Sequence, residues 1–431
     1  MKHDLDYNNT ILHFCGHDLT AVAAETGTPA WIYGLYPILD RVRAYQTGLG
    51  TLPHGIRYAV KANDSGAILR AICRAGCGAV IVSGNELRKC HLAGMNSSEI
   101  VFSGACKTPE EIDLAIASDI GAIHIESEEE LEMVAARAHM ADRVVRVGIR
   151  VDPNVSELAH AHAATRSQQH ASGVPFTEAA LMFKRMREQR NLRPVGVAAH
   201  LGSQITDIEQ IYLAAKRLVN FADELRYITG GLEYVDAGGG LAVDYAQRDG
   251  GPDIEGFSRG LADRVSASGY RLLIEPGRSI VAEAGILLTR VVYRKENPTG
   301  TSLLLDAAMN ELIGPSLYGV SHPILPVVLN DYAEERVGIA GPVCETGHFF
   351  RRDVILSRLS SGSLIAIGCA GAYGRVMSSN YNSRDRCSEW LLEEGAWRLV
   401  RRRETFEDLI RADVEPSPER THAAMLRRRA S

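Results

Sequence analysis

Residues 57–64 read RYAVKAND: a strand-like approach runs straight into a lysine and then into small and polar residues. Lysine is almost never fully buried unless it is paired, so by default Lys61 is a strand-end charge with a buried stem. Its neighbours in sequence change that reading. Seven further apolar runs follow, GAVIVS, EIVFSG, GAIHIE, VVRVGIRVD, VGVAAHLGS, LEYVDAGGG and RLLIEPGR. Between them lie segments such as SGAILRAICRAG, TPEEIDLAIASD and SEEELEMVAARAH, with apolar residues at helical spacing and Ser or Thr at their starts. Continuous apolar strands alternating with helices imply a parallel sheet covered on its outer face. Eight such units over about residues 55–285 fit a closed (β/α)8 barrel better than an open doubly wound sheet.

After about residue 286 the pattern becomes alternating, in GILLTRVVYRK, TSLLLD, RVGIAGPVC, SLIAIGC and EWLLEEGAWRLVRRR, which predicts an antiparallel β domain. The expected organisation is therefore a strand and helix in residues 1–35 that join the β domain, a barrel over 36–285, the β domain over 286–412, and a weakly ordered tail over 413–431.

Composition excludes several classes. The chain has 431 residues, 45% hydrophobic and 23% charged, and a net charge of −6, which offers no basic stripe for nucleic acid. No apolar run reaches the roughly 18 residues of a membrane span. The opening MKHDLDYNNT has neither a basic nor an apolar leader segment, so a cytoplasmic location is expected. Eight scattered cysteines do not suggest a disulfide framework. His160, His162 and His170 lie in a segment rich in Ala, Ser and Gln, and Cys73 and Cys77 have no second ligand pair, so no metal is expected.

In a barrel, reactive residues stand where strands end. Here the runs end in Lys61, Ser83, Ser103, Glu126, Arg150, His200, Gly238 to Gly240, and Glu275 with Arg278. DAGGG followed by EPGR suits a phosphate: glycines let backbone N–H groups approach an anion, and Arg278 adds a planar donor fork. A carboxylate beside a phosphate is repulsive, so Glu275 must serve another part of the ligand, such as a protonated ring nitrogen. A desolvated lysine near Arg278 and Arg150 suits Schiff-base chemistry with an aldehyde. Aldehyde, phosphate and ring nitrogen together describe pyridoxal 5'-phosphate, and His200 could stack flat on its ring.

The motifs YAVKAN, HLGSQI, DAGGG, LIEPGRSIVAEAG, DAAMNELIGPSLY, GPVCETG and GAYGRVMSSNYNSR resemble those of the group IV, fold type III decarboxylases, most closely the diaminopimelate decarboxylases. The similarity runs in order from about residue 5 to 412. It implies the alanine racemase-like pairing of barrel and β domain, with Lys61 as the Schiff-base lysine, His200 as the ring-stacking residue and Glu275 as partner of the ring nitrogen. Ser203, Gly239, Gly240, Gly277, Arg278 and Tyr373 would hold the phosphate or its surroundings. Arg278, Tyr318, Glu345 and Tyr373 would meet the substrate. The resemblance also implies a homodimer in which Cys344 and Glu345 complete the neighbour's site, with Cys344 as the acid that protonates the α carbon after CO2 has left.

Departures from the family pattern cluster where substrate would sit. Gly314 stands where the family has an arginine that grips the distal carboxylate; Val80 replaces an acid; Ser172 and His348 fall at two further altered positions. The expected activity is decarboxylation of an amino acid related to meso-diaminopimelate, as in lysine biosynthesis. Alternatives are a paralogue acting on a modified amino acid in toxin or antibiotic biosynthesis, a racemase, and a catalytically silent binding relative.

Overall fold

The computed structural model describes residues 4–155, 173–245, 252–298, 300–347, 349–393 and 395–413. Eight parallel strands, His54–Ala59, Gly78–Ile81, Ile100–Phe102, Ala122–Ile125, Val145–Arg150, Leu192–Ala198, Tyr234–Asp236 and Arg271–Ile274, form a closed barrel. The eighth strand pairs back onto the first through Leu272 to Ile274 against His54 to Ile56, so no edge is left unpaired. The expected barrel is present, strand for strand. Local chemistry starts its helices. Thr108 forms a capping box with Glu111 ahead of Pro109–Ala117, and Ser83 and Ser127 each accept an N–H at the start of the next helix.

The interior of the barrel is not the uniform apolar fill that its runs suggest. Val101, Ala122, Val195, Tyr234 and Leu273 make a small apolar layer. On the same alternate positions, Arg57, His124 and Asp236 are buried polar residues. His124 Nε2 lies 2.7 Å from the Tyr234 hydroxyl, and Arg57 pairs with Glu99 at 2.5 Å. Glycines make the room: a Cβ on Gly148 would lie 2.6 Å from His124, and one on Gly196 would lie 2.1 Å from the Tyr234 ring.

The second sheet runs in the order Phe349–Ser357, Glu334–Ala340, Gly300–Leu305, Gly285–Asn297, Ala30–Gly34, Ser388–Glu393, Ala396–Arg401. Ile324–Pro326 and Leu364–Ile367 extend it from Gly285–Asn297. The sheet is mixed. Ala30–Gly34 runs parallel to Ser388–Glu393, as Gly300–Leu305 does to Glu334–Ala340, whereas the other ladders are antiparallel. Alternation records which face of a strand is buried and says nothing of its neighbour's direction, so the two parallel ladders were not legible. Ala30–Gly34, an N-terminal strand, is buried along its whole length at the centre of this sheet and leads directly into the helix Leu35–Leu49. Among the described residues no helix is long and apolar enough to cross a membrane. The segment 414–431 and the histidines at 160, 162 and 170 lie outside the described residues.

Because the Tyr234 ring occupies the space beside Gly196, Gly196→Ala should destabilise the protein by roughly 1–3 kcal/mol, the usual cost of overpacking a core. A lowered midpoint in chemical denaturation checks this, and an unchanged midpoint would refute the packing account.

Candidate active site

The first barrel strand stops at Ala59, and Lys61 stands in a single tight turn, Val60–Ala62. Its flanks Val60 and Ala62 are buried while the lysine itself is exposed. The amine opens onto a cleft at the mouth of the barrel. The turn is held from outside the barrel. The Tyr373 N–H donates to the Ala62 carbonyl at 2.8 Å, and the Asn63 amide donates to the Gly371 carbonyl at 2.9 Å. Asp64 pairs with Lys89 and lies 3.6 Å from Arg401.

Lys61, His200, Ser203, Gly240, Glu275, Gly277, Arg278 and Tyr373 line one cleft, together with Ala59, Gly202, Leu241 and Ser279. These residues come from four different strand ends and from the β domain. Gly239 lies beside it, donating its N–H to His200 Nδ1 at 3.3 Å. The glycines are sterically required: a Cβ on Gly239 would sit 2.2 Å from the Glu275 carbonyl, and one on Gly277 would sit 2.9 Å from the Ala59 side chain. Gly240 has φ +103°, a conformation closed to other residues. Arg278 donates Nε–H to Ser203 Oγ at 3.1 Å and a second N–H to the Tyr245 hydroxyl, while its guanidinium lies 4.6 Å from the centre of the Tyr373 ring.

The electrostatics separate the two ends of the cleft. Burial, with the charges of Lys61 and Arg150 behind it, lowers His200 to about 3, so the imidazole is neutral and its Nδ1 accepts the Gly239 N–H. Its 3.8 Å approach to Glu275 is accordingly not an ion pair. Burial, followed by the charge of Asp236, raises Glu275 well above the ordinary carboxylate range. Arg150 is engaged by Glu126 at 2.8 Å.

This donor set fits pyridoxal phosphate. Ser203, Arg278 and the backbone around Gly240 form a cradle that a side chain on Gly240 would close, since its Cβ would lie 2.6 Å from the Gly202 carbonyl. A lysine amine, a neutral imidazole face and a buried carboxyl stand in the same cleft. Three of the expected substrate-side residues are elsewhere. Tyr318, Cys344 and Glu345 are exposed and do not line the cleft of their own chain; the Cys344 N–H donates to Asn382 Oδ1 at 2.9 Å. Gly314 is buried at the head of the short helix Gly314–Tyr318, and Val80 is buried at the second strand. Ser172 and His348 lie outside the described residues.

Sequence reading passed over Asp236, Tyr245 and Ser279. Asp236 opens DAGGG and was legible as part of that motif; Tyr245 lies 33 residues from Arg278 in sequence, and nothing local announces their contact. The oxygens of Asp236 and Glu275 and a ring nitrogen of His124 lie within 4.8 Å of one another, a cluster that no linear spacing reveals.

Residues 35–282 match the sequence model of the pyridoxal-dependent decarboxylases, in their pyridoxal-binding domain. A diaminopimelate decarboxylase of Pseudomonas aeruginosa is 38% identical over 404 residues, spanning 94% of this chain and 97% of that protein. The diaminopimelate decarboxylase of M. jannaschii, solved with L-lysine, superposes with a TM-score of 0.92 at 32% identity, covering 96% of this chain and 99% of that one. The Helicobacter pylori diaminopimelate decarboxylase, also solved with L-lysine, gives a TM-score of 0.86 at 33% identity over 91% of this chain and 98% of that one. Barrel, β domain, cleft and these likenesses agree, and the chain belongs to the pyridoxal-dependent decarboxylases, enzymes that use pyridoxal phosphate to remove CO2 from amino acids.

Proposed function

We propose that this decarboxylase acts in the cytoplasm as a homodimer, on an amino acid of the diaminopimelate class whose distal end is not a carboxylate gripped by arginine. The observation that carries the substrate reading is Gly314. It is buried, and a Cβ there would meet only His322 Nε2, at 3.4 Å, so the position is free of side chain and of charge while having room for one. In relatives named for diaminopimelate, the resemblance puts an arginine clamp at this position. Its absence leaves a wider and less cationic wall, which favours a larger or neutral distal group.

When bound, the cofactor supplies an aldehyde for the substrate amine and a ring that accepts the electron pair left by departing CO2. The chain's own groups do the rest. Lys61 would hold the cofactor through its amine. Arg278, Ser203 and the Gly239–Gly240 backbone hold the phosphate, with Gly277 and Tyr373 bordering it. Neutral His200 offers an uncharged face, and Glu275 serves the ring nitrogen. Arg278, Tyr318, Glu345 and Tyr373 would meet the substrate. Cys344 holds the proton destined for the α carbon. The exposure of Cys344 and Glu345 away from their own chain's cleft supports their service in a partner's cleft.

Lys61→Ala should abolish both CO2 release and the yellow colour of the loaded protein, since among the described residues no other lysine lines the cleft; retention of wild-type turnover would refute its role. Mixing inactive Lys61→Ala and Cys344→Ala chains should restore activity. Random pairing makes half the dimers hybrids with one intact site of two, so about a quarter of wild-type activity is expected of a symmetric dimer. Subunit exchange without recovered activity would refute the shared site.

A substrate panel assayed for CO2 release tests the specificity reading. Gly314→Arg should raise kcat/KM on meso-diaminopimelate by about a hundredfold, roughly 2.7 kcal/mol of transition-state binding, and lower it on the native substrate. Wild-type turnover of meso-diaminopimelate at a kcat/KM of about 10^4 M⁻¹s⁻¹ or above would instead return the enzyme to lysine biosynthesis.

A further inference from the structure

Glu275 has a buried acidic neighbour that the catalytic reading above does not use. Asp236 closes the adjacent strand Tyr234–Asp236 and is completely buried. Its Oδ1 accepts the Gly238 N–H at 2.9 Å, whereas Oδ2 has no N–H or hydroxyl donor. The Glu275 carboxyl is the group that faces it, within the 4.8 Å cluster that also includes His124. Two buried carboxyls at this range cannot both ionise without strong repulsion, and an ionised Oδ2 would be a buried charge without a donor.

The other groups facing the pair do not remove this conflict by contact. Arg57, from the first strand, is engaged by Glu99, and Arg150, from the fifth, is engaged by Glu126. Lys61 acts on Glu275 from the turn above the first strand. His124, from the fourth strand, is held neutral by burial and by the charges of Lys107 and Arg150, and its Nε2 lies against the Tyr234 hydroxyl. One proton between the two carboxyls resolves both difficulties, because it turns the close approach into a charge-assisted O–H···O hydrogen bond.

We propose that Asp236 is a positioning residue for Glu275: the pair holds a single proton, which ties one Glu275 oxygen to Asp236 and leaves the other to face the cofactor's ring nitrogen. The inference rests on the pyridoxal phosphate reading of the cleft. In the free cleft the proton sits on Glu275 and is donated to Asp236 Oδ2. Burial raises both carboxyls above the ordinary carboxylate range, as a shared proton requires. Opposite a protonated ring nitrogen, the Glu275 O–H breaks and an Asp236 O–H forms. The negative charge passes to Glu275, and no proton enters or leaves the pair.

Equilibrium binding to cofactor-free protein tests this, with pyridoxal phosphate and with its 1-deaza analogue, in which C–H replaces the ring nitrogen. Asp236→Asn can still donate to Glu275 and should bind pyridoxal phosphate within about threefold of wild type. Asp236→Ala should bind it at least tenfold more weakly, while the deaza analogue binds all three proteins alike. Asp236→Leu keeps the volume without the hydrogen bond and should match Asp236→Ala, so it stands in if the alanine variant does not fold. The proposal is overturned if Asp236→Asn is as weak as Asp236→Ala, or if the alanine and leucine variants bind pyridoxal phosphate as wild type does. Equal loss of both ligands would overturn it as well, because that marks a merely structural role. A wild-type protein that fails to bind pyridoxal phosphate would overturn both this inference and the reading of the cleft.

Discussion

The mouth of a barrel exposes backbone groups that need partners once something covers them, and here the cover is the β domain. The stretch from Lys61 to Asp64 is the seam. Ala62 accepts from the Tyr373 N–H, Asn63 donates to the Gly371 carbonyl, and Tyr58 donates to the Asn63 carbonyl at 3.0 Å. The lysine is thus presented by a turn whose two flanking residues are buried and whose polar groups are satisfied across the seam. This constraint also accounts for the strand ahead of the barrel. Ala30–Gly34 sits between Gly285–Asn297 and Ser388–Glu393, so the chain passes through the second sheet before the barrel and returns to the same sheet after it.

The second organising feature is charge placed where water is scarce. Inside the barrel Arg57, His124 and Asp236 are buried, and Arg150 and Glu126 pair nearby. Buried charge is tolerated when it is paired or neutralised, and both devices are in use. Arg57 and Arg150 take carboxylate partners, whereas His124 and His200 are each lowered to about 3 and carry no charge. The consequence reaches the chemistry. At one end of the cleft His200 stands uncharged beside the buried carboxyl of Glu275, and at the other cationic Arg278 is held by Ser203 and Tyr245.

Much of this was legible in advance. The eight apolar runs and the Ser and Thr starts of the intervening helices are local signals: each run is a strand, and Ser83, Thr108 and Ser127 cap the helices that follow them, whereas Ser65 begins its helix without a side-chain cap. DAGGG and EPGR were legible because glycine marks close backbone approach, and the contacts at Gly239 and Gly277 are of that kind. What escaped depends on which face of a strand points inward and on what stands across the barrel. Tyr234 and Asp236 read as an ordinary strand end until strands from both sides of the chain place His124 and Glu275 beside them.

The sequence by itself therefore determined the barrel and the class of cofactor, because periodicity, capping and glycine requirements act over short distances along the chain. Only the tertiary structure decided that Lys61 opens to the cleft, that the second sheet is mixed, and that Asp236 faces Glu275. Burial and pairing depend on neighbours distant in sequence, and a charge's state is set by the whole shell of groups that closure of the barrel brings around it.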